Sequence, residues 1–255
     1  MNLGPLRGPH GLRVVGGKVW FTAEGAKVIG SYDQLANYID WVLGTGQNRT
    51  HMIFVSQDMQ RIVTANVSSG TMRIIEKTTQ RMGAPPNSGV GGPPPGGPPQ
   101  GGMQRRTDWD QTVIKVGNGP EGFDVSPDGK EIRVANDQDG TVSVIDIARK
   151  TVSHTLQANV RGANRLKFTL DGKRVLISTL GVPDVTVLDA GTRAAWKRIP
   201  VGRGAAGILM QPDGARAYVA CTPDDYVAII DLKSLEVTGK IHAGKWPDGL
   251  AWARR

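Results

Sequence analysis

The chain has 255 residues, a formal net charge of +8, 34 Gly, 16 Pro, one Cys, and only six Trp, four Tyr and four Phe. That length suffices for one large domain or two ordinary ones, the single Cys221 excludes an internal disulfide framework, and no apolar run reaches the roughly 18 residues of a membrane-spanning helix. Abundant Gly and Pro with few helix-favouring runs exclude a mainly α-helical protein, and Met1 to Arg7 contains no apolar stretch of the signal-peptide kind.

In chain order, the first predicted unit covers residues 8–48. It holds short apolar runs at Gly11 to Val15, Val19 to Thr22, Val28 to Asp33 and Tyr38 to Leu43. The second, 49–118, has Met52 to Val55, a turn at Ser56-Gln57-Asp58, then Ile62 to Ala65 and Met72 to Glu76, and completes itself with Thr112 to Val116. Between its third and fourth strands, residues 77–109 form an insertion. Eight of the twenty residues from Gly83 to Gly102 are Gly and seven are Pro. Such a stretch buries too little to offset the entropy of ordering, so a disordered loop is expected there. Its flanks carry Arg81, Arg105 and Arg106, which would suit a proline-recognising module or an anionic surface.

Three regular units follow, at 119–161, 162–203 and 204–245. Ser126-Pro127-Asp128-Gly129, Thr169-Leu170-Asp171-Gly172 and Gln211-Pro212-Asp213-Gly214 are turns of one form, spaced 43 and 42 residues apart. Each is flanked by alternating apolar runs, and each unit has a third run ending in an acid: Val144-Ile145-Asp146, Val187-Leu188-Asp189 and Ile229-Ile230-Asp231. Period-2 alternation punctuated by Asp-Gly marks antiparallel hairpins, and four strands in about 42 residues make one propeller blade. Residues 246–255 supply one further first strand, Gly249 to Trp252. The fold class is therefore all-β, a β-propeller of about five four-stranded blades plus one strand. Five blades and a strand leave a wedge open and two sheet edges bare. The expectation is an N-terminally incomplete seven-bladed ring, about 70 residues short at this period, or a gap capped by a second copy through the open blade edges.

Val134-Ala135-Asn136, Tyr218-Val219-Ala220-Cys221 and Thr64-Ala65-Asn66 resemble the second-strand motif of the YVTN family of β-propeller repeats. Gly119-Pro120-Glu121-Gly122-Phe123, the Pro-Asp-Gly turn and the Ile-Asp ending of strand three extend the match over nearly the whole chain outside the insertion. The resemblance implies a periplasmic or cell-surface protein of bacterial or archaeal type. Related propellers include lactonases and haem-binding or redox-partner domains, so it implies no single activity.

The Gly-Pro-X-Gly-apolar start of each blade places residue X at the mouth of the central channel. Along the chain X is His10, His51, Glu121, Asn164, Ala206 and Asp248. A ring of imidazole, carboxylate and amide is the chemistry of a metal or general acid/base site. The metal candidates are His10, His51 and Glu121, for a divalent ion. Equally, such side chains hydrogen-bond the backbone where an inner strand begins. Arg49, Arg161, Arg165 and Arg203 stand near the same mouth and would grip an anion or pair with loop acids such as Glu24, Asp139 and Asp224. Trp246 would stack on a ligand or cover the neighbouring blade. Cys221 reads as a small buried hydrophobe, and Trp20, Trp41, Trp196 and Trp252 as blade packing.

Three functions follow. The first is a non-enzymatic binding or scaffold propeller of the bacterial cell envelope, holding a small ligand or a partner protein at the channel mouth through His10, His51, Glu121, Asn164, Asp248, Arg49, Arg165, Arg203 and Trp246. The second is a metal-dependent lactonase-like hydrolase or a lyase that uses the His/Glu/Asn/Asp ring. The third, prompted by the basic charge, is single-stranded nucleic-acid binding, although no platform of interleaved aromatic and basic residues is present.

Overall fold

The computed structural model describes residues 3–81 and 105–253. Five four-stranded antiparallel sheets stand as the blades of a β-propeller. The first holds β1 (Pro9–Val15), β2 (Lys18–Ala23), β3 (Val28–Asp33) and β4 (Tyr38–Gly44); the second holds β5 (Thr50–Val55), β6 (Arg61–Asn66), β7 (Thr71–Arg81) and β8 (Arg105–Lys115). The third is β9 (Pro120–Val125), β10 (Glu131–Asn136), β11 (Thr141–Asp146) and β12 (Thr151–Gln157), and the fourth is β13 (Ala163–Phe168), β14 (Arg174–Thr179), β15 (Asp184–Asp189) and β16 (Ala195–Pro200). The fifth is β17 (Ala205–Met210), β18 (Arg216–Cys221), β19 (Tyr226–Asp231) and β20 (Glu236–His242). Within each blade the strands pair in chain order, and the inner strands β1, β5, β9, β13 and β17 pack side by side in that succession.

The turns form because their sequences supply the bonds. Ser126 Oγ donates to Asp128 Oδ1 at 2.6 Å, that oxygen accepts Lys130 N–H at 3.1 Å, and Gly129 closes the turn at φ +72°. Thr169, Asp171 and Gly172 repeat the arrangement. The acids ending the third strands cap the next turn: Asp146 accepts from Arg149 N–H, Asp189 from Thr192 N–H and Asp231 from Ser234 N–H, at 2.7–2.8 Å. Side chains of this kind compete with ladder bonding and so end strands.

The middle strands of each blade are buried on both faces, so the core lies between blades. Trp20 and Ile29 meet Ile53, Ile62 and Ile75 across the first interface. Leu176, Val187 and Ile199 meet Ile208, Val219 and Ala228 across the last. The outermost strands are largely exposed, as β12 and β20 illustrate. Trp20 and Trp41 pack edge to face, and Trp41 continues to Trp109 on β8; Trp196 is more than half exposed and carries Arg174 over its ring.

Two expectations are corrected. Ladder pairing continues as far as Arg81 opposite Arg105, so the flanks of the 77–109 insertion are strand; residues 82–104 lie outside those described. The sixth first strand does not form: 246–253 contains no strand. The segment nevertheless lies against β17 and the open face of the fifth blade. Gly207 backs onto Asp248 and Leu250, Thr222 Oγ1 donates to the Pro247 carbonyl at 2.8 Å, and Trp252 meets Tyr218. Without a second strand to pair with, and with Pro247 lacking a donor, it makes no ladder.

Candidate functional site at the channel mouth

Every blade begins with the same irregularity. In the first, Pro9 pairs with Ala23 and Leu12 with Phe21, so His10 and Gly11 together oppose Thr22. His51-Met52 against Ala65, Glu121-Gly122 against Ala135 and Ala206-Gly207 against Ala220 repeat it, and in the fourth blade Asn164 is the unpaired residue. Such a bulge bends the strand and re-aims a side chain. The re-aimed residue is X of the sequence motif in all five blades.

Hydroxyls on the second strands lock two of these bulges to the next blade. Gly11 N–H donates to Thr22 Oγ1 at 2.8 Å, and the Thr22 hydroxyl donates to the His51 carbonyl at 2.7 Å. Ser178 Oγ accepts from Arg165 N–H at 3.1 Å and donates to the Ala206 carbonyl at 2.5 Å. The glycine after X exists for close approach. A Cβ on Gly11 would lie 2.5 Å from the His51 carbonyl oxygen, and one on Gly122 2.5 Å from Arg165 Cα.

The result is a cluster. The His10 and His51 rings stack with centroids 3.6 Å apart and planes at 27°. His51 is 2% exposed, whereas His10 is open to solvent on one side. His51 Nδ1 meets Glu24 Oε1, and Nε2 lies 2.6 Å from Glu121 Oε1, an approach without hydrogen-bond alignment. Arg49 reaches over both acids, with Nη2 at 3.5 Å from Glu121 and Nε at 3.9 Å from Glu24. Carboxylates only accept. Two chemistries therefore satisfy His51: a ring protonated on both nitrogens, or a neutral ring whose lone pair meets a cation that the carboxylates share.

Burial presses His10 below its ordinary pKa, aided by His51 and Arg165 and opposed by Glu24 and Glu121. It is thus neutral near pH 7, with a lone pair to give. Burial works against the charge on Glu121, yet contact with His51 and the fields of Arg49 and Arg165 prevail and hold its carboxyl below the usual range. Arg165 donates from Nη1 to both the carbonyl and Oδ1 of Asn164 at 3.0 Å. Burial presses its guanidinium down, while Asp248 and Glu121 act on it only through space, and among the described residues it forms no direct ion pair.

The structure therefore brings together His10, His51, Glu121, Asn164, Arg49 and Arg165, with exposed Asp248 at the edge. Arg203 stands apart, bound through its backbone N–H and Nε to Asp224 at 2.8 and 2.7 Å. Trp246 is 71% exposed, its N–H donating to Asp225 Oδ1, and it covers none of the cluster. Glu24, just beyond the end of β2, joins the site although the blade-start pattern omits it. Its position on the mouth-side loop was legible; its contact with a histidine 27 residues away was not. The ligating atoms of His10, Glu24 and His51 all lie within 4.8 Å of one another. Two imidazoles and a carboxylate suit a zinc-like ion better than magnesium or calcium.

Among the described residues no helix is long and apolar enough to cross a membrane, which says nothing about strands. No family model matches the chain, and no curated protein matches it in sequence. Solved structures do. Hydrazine synthase of Kuenenia stuttgartiensis is similar over 91% of this chain and 65% of its own, with a TM-score of 0.67 at 17% identity. A functionally unknown protein from Desulfotomaculum acetoxidans is similar over 95% of this chain and 74% of its own, with a TM-score of 0.70 at 15% identity. A streptogramin B lyase is similar over 95% and 71%, with a TM-score of 0.71 at 15% identity. The chain thus spans about two thirds of the first of these and somewhat more of the other two. At such identities the likeness shows the fold alone, a β-propeller with five four-stranded blades.

Proposed function

We propose that this chain is a non-enzymatic binding propeller of the bacterial cell envelope, of the YVTN repeat type, which holds a small anionic ligand at its channel mouth. The observation that carries the reading is Arg165: a part-buried guanidinium that is paired with no carboxylate among the described residues, held by the Asn164 amide and acting electrostatically on His10. A buried cation without a counter-ion is costly, and a planar guanidinium matches carboxylate and phosphate. Arg49, whose side chain is 45% exposed, would close over the ligand from the rim. The envelope setting and the repeat family rest on the second-strand and turn motifs.

Calorimetric titration of the whole chain with succinate and with orthophosphate tests this. The expected result is a saturable event that Arg165→Met removes while the circular dichroism spectrum is kept, whatever binding the variant retains away from the mouth. Binding that is absent, or indifferent to Arg165→Met, overturns the reading.

One observation favours a second reading, a metal-dependent hydrolase or lyase: the convergence of His10, Glu24 and His51. Elemental analysis after dialysis against zinc separates the two. Stoichiometric zinc that disappears in His51→Ala supports the metal site, and zinc at background level removes it.

A further inference from the structure

At the end of the propeller opposite the mouth, the third and fourth blades enclose a cleft of about 450 Å³. Turns of both blades form its walls, with Pro127, Phe168 and Ala190 as apolar surface. Into it project two arginines from different blades. Arg133, on β10, is 2% exposed. Its Nε and Nη2 face Glu131 Oε2 at 3.4 and 3.1 Å, and Nη2 also donates to the Ala190 carbonyl at 2.5 Å. The guanidinium lies over the Phe168 ring, 5.2 Å from its centroid. Arg193, in the turn between β15 and β16, donates from Nη2 to Glu131 Oε1 at 3.0 Å and meets His154 Nε2 through Nη1 at 3.3 Å.

One carboxylate therefore serves two guanidinium groups, and one donor on each is left over. Arg133 Nη1 and Arg193 Nε are both buried and, among the described residues, have no acceptor. The other acids lining the cleft are committed to their own turns. Asp128 accepts from the Ser126 hydroxyl and Lys130 N–H, and Asp171 from the Thr169 hydroxyl and Lys173 N–H. Lys130, also at the wall, is paired with Asp128, its Nζ 3.5 Å from Oδ2. Buried charged donors are seldom left unmatched, and the repeat does not explain this pair. The positions equivalent to Arg133 in the other blades are Trp20, Val63, Leu176 and Tyr218, none of them charged.

We infer that this cleft is a second ligand site, which takes the oxyanion group of a small molecule, phosphate or carboxylate, between Arg133 and Arg193. The anion supplies the two missing acceptors and matches the cation that Glu131 leaves over, in the forked geometry that guanidinium groups favour. Phe168 and Pro127 then face the rest of the molecule, since the cleft exceeds the size of a bare ion.

The test follows the arginine Nε–H resonances of the ¹⁵N-labelled whole chain during titration with orthophosphate and, separately, succinate. It is repeated in Arg165→Met, so that a failure at the mouth and a failure here are told apart. Arg193 Nε–H is expected to shift saturably in both chains, and Arg193→Gln, followed through Arg133 Nε–H, or Arg133→Met, followed through Arg193 Nε–H, to weaken the event by roughly tenfold or more. The tighter of the two probes identifies the group recognised. If Arg133→Met fails to fold, Arg193→Gln, altered at a side chain 30% exposed, carries the comparison. No saturable shift up to about 10 mM of either anion, or affinity unchanged in Arg193→Gln, overturns the inference and leaves the cleft to water.

Discussion

Glu121→Gln isolates the charge at the centre of the channel-mouth cluster, because it keeps the shape of the side chain and one acceptor oxygen. The Glu121 side chain is 10% exposed, 2.6 Å from His51 Nε2 and 3.5 Å from Arg49 Nη2. Its carboxyl titrates below the usual range in the folded chain. The unfolded state consequently binds more protons than the folded state in the window between the two pKa values. Stability from this group is fully present above the unfolded value, near 4.3, and is lost as the pH falls through the folded one. A close contact to a charged partner is worth about 1.5–3 kcal/mol. Burial opposes it here, so about 2 kcal/mol is expected at pH 7. In a domain of this size each kcal/mol moves Tm by roughly 2–4 °C, giving a fall of about 4–8 °C for Glu121→Gln. Thermal unfolding followed by circular dichroism should show that gap at neutral pH and its closure in acid. A variant as stable as the parent at pH 7, or a gap indifferent to pH, would refute the reasoning.

Three further outcomes test the architecture. Gly122→Ala forces a Cβ to within 2.5 Å of Arg165 backbone on the adjacent inner strand, and overpacking of this kind costs about 1–3 kcal/mol; an unaltered urea midpoint would contradict the close approach of the blades. Thr22→Val removes the acceptor of Gly11 N–H and the donor to the His51 carbonyl. Two buried backbone groups are left unpaired, for a loss of about 2–4 kcal/mol, whereas a loss below about 0.5 kcal/mol would show the bulges to be held otherwise. Cys221 has no exposed surface, and burial pushes its thiol up, so a thiol reagent should label it only in denaturant; rapid labelling of the native chain would place it elsewhere.

Period, turn chemistry and strand alternation were all local, and they were legible. Asp128 with Gly129, Asp171 with Gly172 and the acids ending the third strands form their turns from neighbours a few residues away. The same locality put His10, His51, Glu121 and Asn164 in equivalent positions, because a bulge at one fixed offset in each blade re-aims the same residue. The final strand misled, since alternation marks which residues suit a strand and is silent on whether a partner is there to pair with it.

By itself, then, the sequence determined the blades, their order and the offset in each at which a bulge re-aims one residue. Only the tertiary structure decided which of those side chains meet. Equivalent positions are about 40 residues apart along the chain, and the angle between blades brings His10 onto His51 while leaving Arg203 to Asp224. Glu24 reaches His51 across 27 residues, and Arg193 reaches Glu131 across 62. A repeat says which residues are alike; contact depends on packed faces between blades, where burial and unmatched charge arise together.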